Sequence, residues 1–231
     1  MYGSEYVGGA GFGGVVSRAP ANVRAEFIRK VYNLFFTSIL ITVGVGWFCA
    51  QPAIASALLG MRMVFWLVGL GLVFAISWSR KANGANVGML FAFSAVWGAI
   101  LGPLMALVER FAPGVGTQAA VLTVGTFGGL SLYAIQSKKD FSYLGGFLFA
   151  AVIGLIVAGI VMMFFHTPLM SMIYAAAGIL IFSGFTLYDT SQIMNRLQPN
   201  EAVAGALDLY LDFINLFLFI LRLLMELNRR N

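Results

Sequence analysis

Apolar residues run along this chain in long stretches, interrupted by short polar links, with neither the strict alternation of a half-buried strand nor the narrow stripe of a soluble amphipathic helix. Seven stretches approach the length of about 17–25 residues that spans a bilayer as a helix: Val31–Ala50, Met63–Trp78, Val87–Val108, Ala119–Ile135, Tyr143–Phe165, Leu169–Tyr188 and Ala206–Leu227. The second is short unless Leu58 to Arg62 joins it, and the seventh carries a polar stripe. The pattern predicts an all-α integral membrane protein of seven transmembrane helices, with the polar-striped last helix central in the bundle. Brief links leave no room for a second domain, so residues 23–231 form one transmembrane domain. Residues 1–22 read as a disordered, Gly-rich cytoplasmic tail, because their small side chains bury too little apolar area to offset chain entropy.

On the last stretch Asp208, Asp212, Asn215, Arg222 and Glu226 follow one another at spacings of four, three, seven and four, which puts them on one helical face. An Asp at the centre of a membrane helix costs about 2.5–3.5 kcal/mol on insertion scales, so such residues face a protein interior or a wet cavity and mark ion or proton paths. Arg222 and Glu226, nearer the helix end, read as a pair whose long side chains reach the interface. Asp189 ends the sixth stretch beside Tyr188, Thr190 and Gln192, where an exposed capping role is the plain reading. The short link that follows makes the last two helices antiparallel neighbours, however, and this brings Asp189 towards Asp208 or Asp212. Two carboxylates about 4 Å apart at an effective dielectric near 20 repel by roughly 4 kcal/mol, so a pair of this kind holds a proton or a cation between its members.

Composition agrees with the membrane reading: 60% of the 231 residues are hydrophobic and 10% charged, against about 25% charged in soluble domains. The net charge of +5 reflects topology rather than nucleic-acid binding. Arg18, Arg24, Arg29 and Lys30 precede the first stretch, Arg80 and Lys81 follow the second, Lys138 and Lys139 the fourth, and Arg196 the sixth; the alternate links hold only Arg62 and Arg110. The positive-inside rule then puts the N-terminus in the cytoplasm. Seven crossings would leave Arg229 and Arg230 outside, so the last segment either crosses against the bias or re-enters. Met1 to Gly14 contains no Lys or Arg and so lacks a signal-peptide pattern, which leaves the first membrane helix to direct insertion. Cys49 is the single cysteine and reads as a small core residue. Ser94, Gly98 and Gly102 recur at every fourth position, the spacing that lets membrane helices approach closely.

Three segments carry a family resemblance. The runs Leu-Tyr-Asp-Thr-Ser-Gln-Ile at 187–193, Leu-Asp-Leu-Tyr-Leu-Asp-Phe-Ile-Asn-Leu-Phe at 207–217 and Lys-Lys-Asp-Phe-Ser-Tyr-Leu-Gly at 138–145 resemble the Bax inhibitor-1 family, also called the transmembrane BAX inhibitor motif family, in its bacterial form. The resemblance implies a pH-sensitive calcium leak, gated by a carboxylate pair between the sixth and seventh membrane helices, in the bacterial cytoplasmic (inner) membrane. It implies that Asp189 and Asp212 are the pH-sensing pair and hold calcium transiently in passage. Asp208 stands where relatives have Asp or a small polar residue, Asn215 supports the path, and Arg80 matches an arginine that latches onto the sixth-helix Asp.

Other chemistries find little in the residues. A retinal Schiff base needs a mid-membrane lysine, and Lys30, Lys81, Lys138 and Lys139 all flank the apolar stretches. An intramembrane serine protease needs a histidine base, and His166 lies in an outer link. No His/Cys cluster suits zinc. The chain is therefore expected not to be an enzyme and to need no cofactor, with calcium as permeant ion. Calcium prefers six to eight oxygen ligands, so the carboxylates suit a passage site better than a storage site. A proton-coupled transporter and a regulatory protein acting on a membrane protease or other partner are the competing readings. The expected partners are membrane lipids, calcium and protons, with a membrane-protein partner under the regulatory reading; the oligomeric state is open.

Overall fold

In hydrocarbon every backbone N–H and C=O must be satisfied within its own segment, which turns the long apolar runs into helices. The computed structural model describes residues 14–78, 84–137, 139–165 and 167–229. These hold eight α-helices: α1 (Ala21–Cys49), α2 (Pro52–Leu59), α3 (Arg62–Trp78), α4 (Gly84–Phe111), α5 (Val115–Ser137), α6 (Gly145–Met162), α7 (Pro168–Asn195) and α8 (Ala202–Asn228). Six helical segments, α1, α4, α5, α6 with its preceding turn, α7 and α8, are long and apolar enough to cross a membrane. The second expected span is a broken one. Pro52 starts α2, Gly60 follows its end, and α2 and α3 meet at a 75° bend. The described residues thus contain six spans, or seven if the bent pair counts as one.

Several helices outrun their apolar stretches. α1 begins at Ala21 rather than Val31, and α7 continues to Asn195 rather than stopping at Tyr188. Asp189 is therefore inside a helix, not at its cap. The expectation of a disordered tail over residues 1–22 needs correction at its end, since residues 1–13 lie outside the described set while Val16 is fully buried. The Val16 N–H donates to the Leu197 carbonyl at 2.8 Å and the Ser17 hydroxyl to the Asn195 carbonyl at 2.9 Å. One apolar anchor and two hydrogen bonds dock this segment on the α7–α8 link, an effect that the composition of the whole tail hides.

The last helix sits at the centre. α8 packs against α1, α5 and α7 and touches α3 and α4, and Leu209, Tyr210 and Leu216 on it are fully buried. Phe35 of α1, Phe127 of α5 and Phe213 of α8 form a ring cluster with centroids 5.1 to 5.8 Å apart, within the range where aromatic pairs stabilise beyond their area. α6 is peripheral and rests on α7 with most of its side chains outward. α1 and α4 approach along the small-residue row. A Cβ added at Gly98 would lie 2.8 Å from the Thr42 carbonyl oxygen, and one at Gly102 would strike the Gly46 carbonyl.

Candidate functional site

The site lies between the C-terminal half of α7 and the N-terminal half of α8. A link of six residues, 196–201, joins the two helices, so the face of one is folded back on the face of the other. Asp189 is about 9 Å from the end of α7 and Asp212 about 15 Å from the start of α8, at about 1.5 Å rise per residue. The carboxyl groups of Asp189 and Asp212 come within hydrogen-bonding reach, and Asp208 is near enough for its charge to act on both. Asp212 is buried at 3% exposure, and its Oδ2 accepts no hydrogen bond from an N–H or O–H donor. Asp189 and Asp208 are half-buried.

All three carboxylates and Asn215 line one cavity of about 820 Å³. Asn215 donates its side-chain N–H to the Leu211 carbonyl of its own helix at 2.7 Å. The remaining wall is largely aromatic and aliphatic, with Tyr174, Phe182 and Phe185 from α7, Phe219 from α8, Leu155 from α6 and Trp66 from α3. Among the described residues no three His, Cys, Asp or Glu side chains are grouped to hold a metal ion. The carboxylates share a cavity without forming a closed cage, an arrangement suited to binding a proton or passing a cation.

A second polar cluster borders this cavity. In the link before α6, the Asp140 carboxylate accepts from the Ser142 N–H at 2.9 Å and from the Ser142 hydroxyl, and it faces Arg196 at 3.6 Å. Those Ser142 donors, and then the Arg196 charge, hold the Asp140 carboxyl below the usual carboxylate range. The Phe141 N–H donates to Ser191 Oγ at 3.0 Å and the Gln192 amide to Ser142 Oγ at 3.4 Å. The link is thereby pinned to α7 within one turn of Asp189.

Not every expected contact forms. Arg222 does not serve as an interfacial partner of Glu226: its Nε donates to Ser171 Oγ at 3.0 Å and its guanidinium lies 4.8 Å from the Tyr174 ring centroid. Glu226 instead faces Arg229 at 3.9 Å. Both partners of Arg222 are on α7, and helical spacing within α8 carries no information about them. Arg80, expected as a latch on Asp189, and His166 lie outside the described residues. A network that the polar stripe did not announce occupies the far side of α8. Tyr210 OH lies 2.6 Å from Thr42 Oγ1, which is itself 3.0 Å from the carbonyls of Ser38 and Ser94. Its signal was the four-residue spacing of Ser38 and Thr42 in an apolar run. Phe219, four residues after Asn215, extends the carboxylate face in the same way.

Comparison with known proteins draws these features together. The family model described as "Inhibitor of apoptosis-promoting Bax1" matches residues 24–230. The chain is 34% identical over 223 residues to protein lifeguard 4 of Mus musculus, covering 95% of this chain and 92% of that one. It is 35% identical over 209 residues to an uncharacterised protein of Campylobacter jejuni, covering 88% and 90%. It is 33% identical over 217 residues to Bax inhibitor 1 of Schizosaccharomyces pombe, covering 90% and 79%. With a family match over nearly its whole length and a bundle of membrane-length helices around α8, the chain belongs to the Bax inhibitor family of integral membrane proteins.

Proposed function

We propose that this protein is a pH-sensitive calcium leak channel, gated by the Asp189–Asp212 pair between α7 and α8. The observation that carries the reading is the approach of these two carboxyl groups inside a cavity that Asp208 also lines. In the closed state the pair shares one proton, which bridges the helices and leaves about one negative charge between them. Loss of that proton leaves two carboxylates that repel each other and attract a divalent cation, so opening and calcium occupancy follow one titration. Asp208 adds negative potential along the same path. Arg80 completes the proposal as the latch that pairs with Asp189 when closed.

The protein on this reading has no enzymatic activity and needs no resident cofactor. Calcium is its cargo, protons and lipid its other partners, and the bacterial cytoplasmic membrane its setting, with the N-terminus inside. The test is calcium uptake by sealed proteoliposomes at a series of pH values from about pH 6 to pH 8. Wild type should leak more as pH rises, and Asp212→Asn and Asp189→Asn should each flatten that response. An unchanged profile in both variants would remove the pair as sensor, and absence of flux in wild type would favour a regulatory role without transport.

A further inference from the structure

The cavity is far larger than a passing cation needs. Its wall follows α7 from Gln192 to Tyr174, a run of roughly 27 Å at about 1.5 Å per residue. A volume of 820 Å³ over that length leaves a mean cross-section of roughly 30 Å², room for an extended chain or a single ring rather than a globular molecule. The two ends differ in chemistry. Asp189, Asp208 and Asp212 gather towards the link between α7 and α8, whereas Phe182, Phe219 and Tyr174 gather at the deeper end. Phe182 and Phe219 stack at 5.7 Å, and Phe219 and Tyr174 lie 5.4 Å apart. Trp66 and Ile156, on the α3 and α6 sides of the cavity, are both more than half exposed, so the wall is open there.

We propose that this cavity is a binding site for an amphiphilic organic cation, an alkylammonium or arylalkylammonium with a narrow apolar body. Its ammonium group sits at Asp189 and Asp212 and supplies N–H donors to both carboxylates in place of a shared proton, and its body lies against Phe182 and Phe219. The guanidinium of Arg222, over the Tyr174 ring, makes the deep end unfavourable for a second positive charge and so fixes the orientation of the ligand. Carboxylates in a partly dry site discriminate strongly for a cation over a neutral analogue of the same shape, because hydrogen bonds to charged groups are worth more than neutral ones. Aromatic faces accept both the apolar body and the flank of the ammonium group. The site uses the same carboxylates as the calcium reading but does not depend on calcium passing them.

The experiment is calorimetric titration of the full chain in nonionic detergent with 4-phenylbutylammonium and, as neutral match, 4-phenylbutanol, which has the same number of heavy atoms. Titrations into empty micelles remove the partition signal. Wild type should bind the ammonium at one saturable site and the alcohol about tenfold or more less tightly. Asp212→Asn and Asp189→Asn should each narrow that preference, since each leaves a carboxylate and Asp208 in place, while Phe182→Leu should weaken both ligands and keep it. Circular dichroism and elution volume establish folding, and either Asp variant suffices if the other does not fold. Equal binding of ammonium and alcohol to wild type, or a preference as large as that of wild type in a folded Asp variant, would overturn the site. Calcium flux is not read in this titration, so its failure and the failure of the channel proposal are separate results.

Discussion

The two sides of α8 bury polar groups in opposite ways. Towards α1 and α4, Tyr210 is fully buried, yet its hydroxyl meets Thr42 Oγ1, and that group reaches main-chain carbonyls of both helices. The Thr42 and Ser94 hydroxyls find main-chain acceptors there while the buried Ser38 hydroxyl finds none, all groups are neutral, and small residues bring the backbones together. Towards α6 and α7, Asp212 is buried with an oxygen that receives no donor, beside two further carboxylates in an open cavity. A neutral hydrogen-bonded network holds a bundle in one state, whereas an acidic one lacking donors responds to whatever supplies a proton or a cation. On the proposed reading, structure and function are thus separated by the two faces of one helix, a little over half a turn apart at Tyr210 and Asp212.

The strongest way to break that separation is to force the closed face apart. Gly102→Leu would drive a side chain into the Gly46 carbonyl and Cys49 of α1, where backbone rather than a flexible side chain is the obstacle. Overpacking costs about 1–3 kcal/mol where neighbours can adjust, and here the cost should lie at or above the top of that range. The expected result is a large fall in thermal unfolding midpoint in detergent. A midpoint within error of wild type would mean that α1 and α4 separate freely and that the closed face is not the rigid side.

Asp212→Asn acts on the open face and should have the opposite signature. The fold should persist, because an amide replaces a carboxylate of the same shape and adds N–H donors where a donor is missing. The change should appear in function: the proposed calcium leak should lose most of its pH response. Tyr210→Phe is its mirror image. It removes one buried hydrogen bond while Thr42 keeps its carbonyl acceptors, at a cost of about 1 kcal/mol, and it should leave the pH response of the leak intact. If Tyr210→Phe flattened the response as much as Asp212→Asn, the two faces would be one coupled network and the separation would fail.

How far the sequence foretold this division depended on whether a feature was local to one helix. The stripe of Asp208, Asp212 and Asn215 was legible because helical spacing places its members together, and the pairing of α7 with α8 because a short link leaves few arrangements. The α1–α4 approach was visible in Ser94, Gly98 and Gly102 for the same reason. Partners across helices were not. Arg222 sits one turn before Glu226, yet its nearest attractive groups, Ser171 and Tyr174, belong to α7. Tyr210 reads as one more apolar residue in an apolar run until Thr42 is opposite it. The break between α2 and α3 falls at Gly60 and Met61, which hydropathy alone does not weigh, and the docking of residues 15–19 turned on the single side chain of Val16.

The smallest expected effect comes from Asp140, whose carboxylate accepts from both the Ser142 N–H and its hydroxyl. Asp140 is 56% exposed, so solvent screens its pairing with Arg196, and its ionised form is favoured first by the Ser142 hydroxyl and N–H and then by that arginine. A carboxyl held below its unfolded value stabilises the fold at pH above the unfolded value of about 4, and that contribution is lost as pH falls through the lower folded value. Asp140→Asn should therefore lower the unfolding midpoint slightly at pH 7, with the gap from wild type closing as pH drops below about 4. The proposed calcium leak should keep its pH response, since the substitution touches the rim of the cavity and leaves Asp189 and Asp212 intact. A gap that stayed constant to pH 3 would mean that the Ser142 donors do not act on the charged form and that packing alone positions this link. A flattened leak profile would instead extend the responsive face of α8 out to the link before α6, through Ser191 and Gln192.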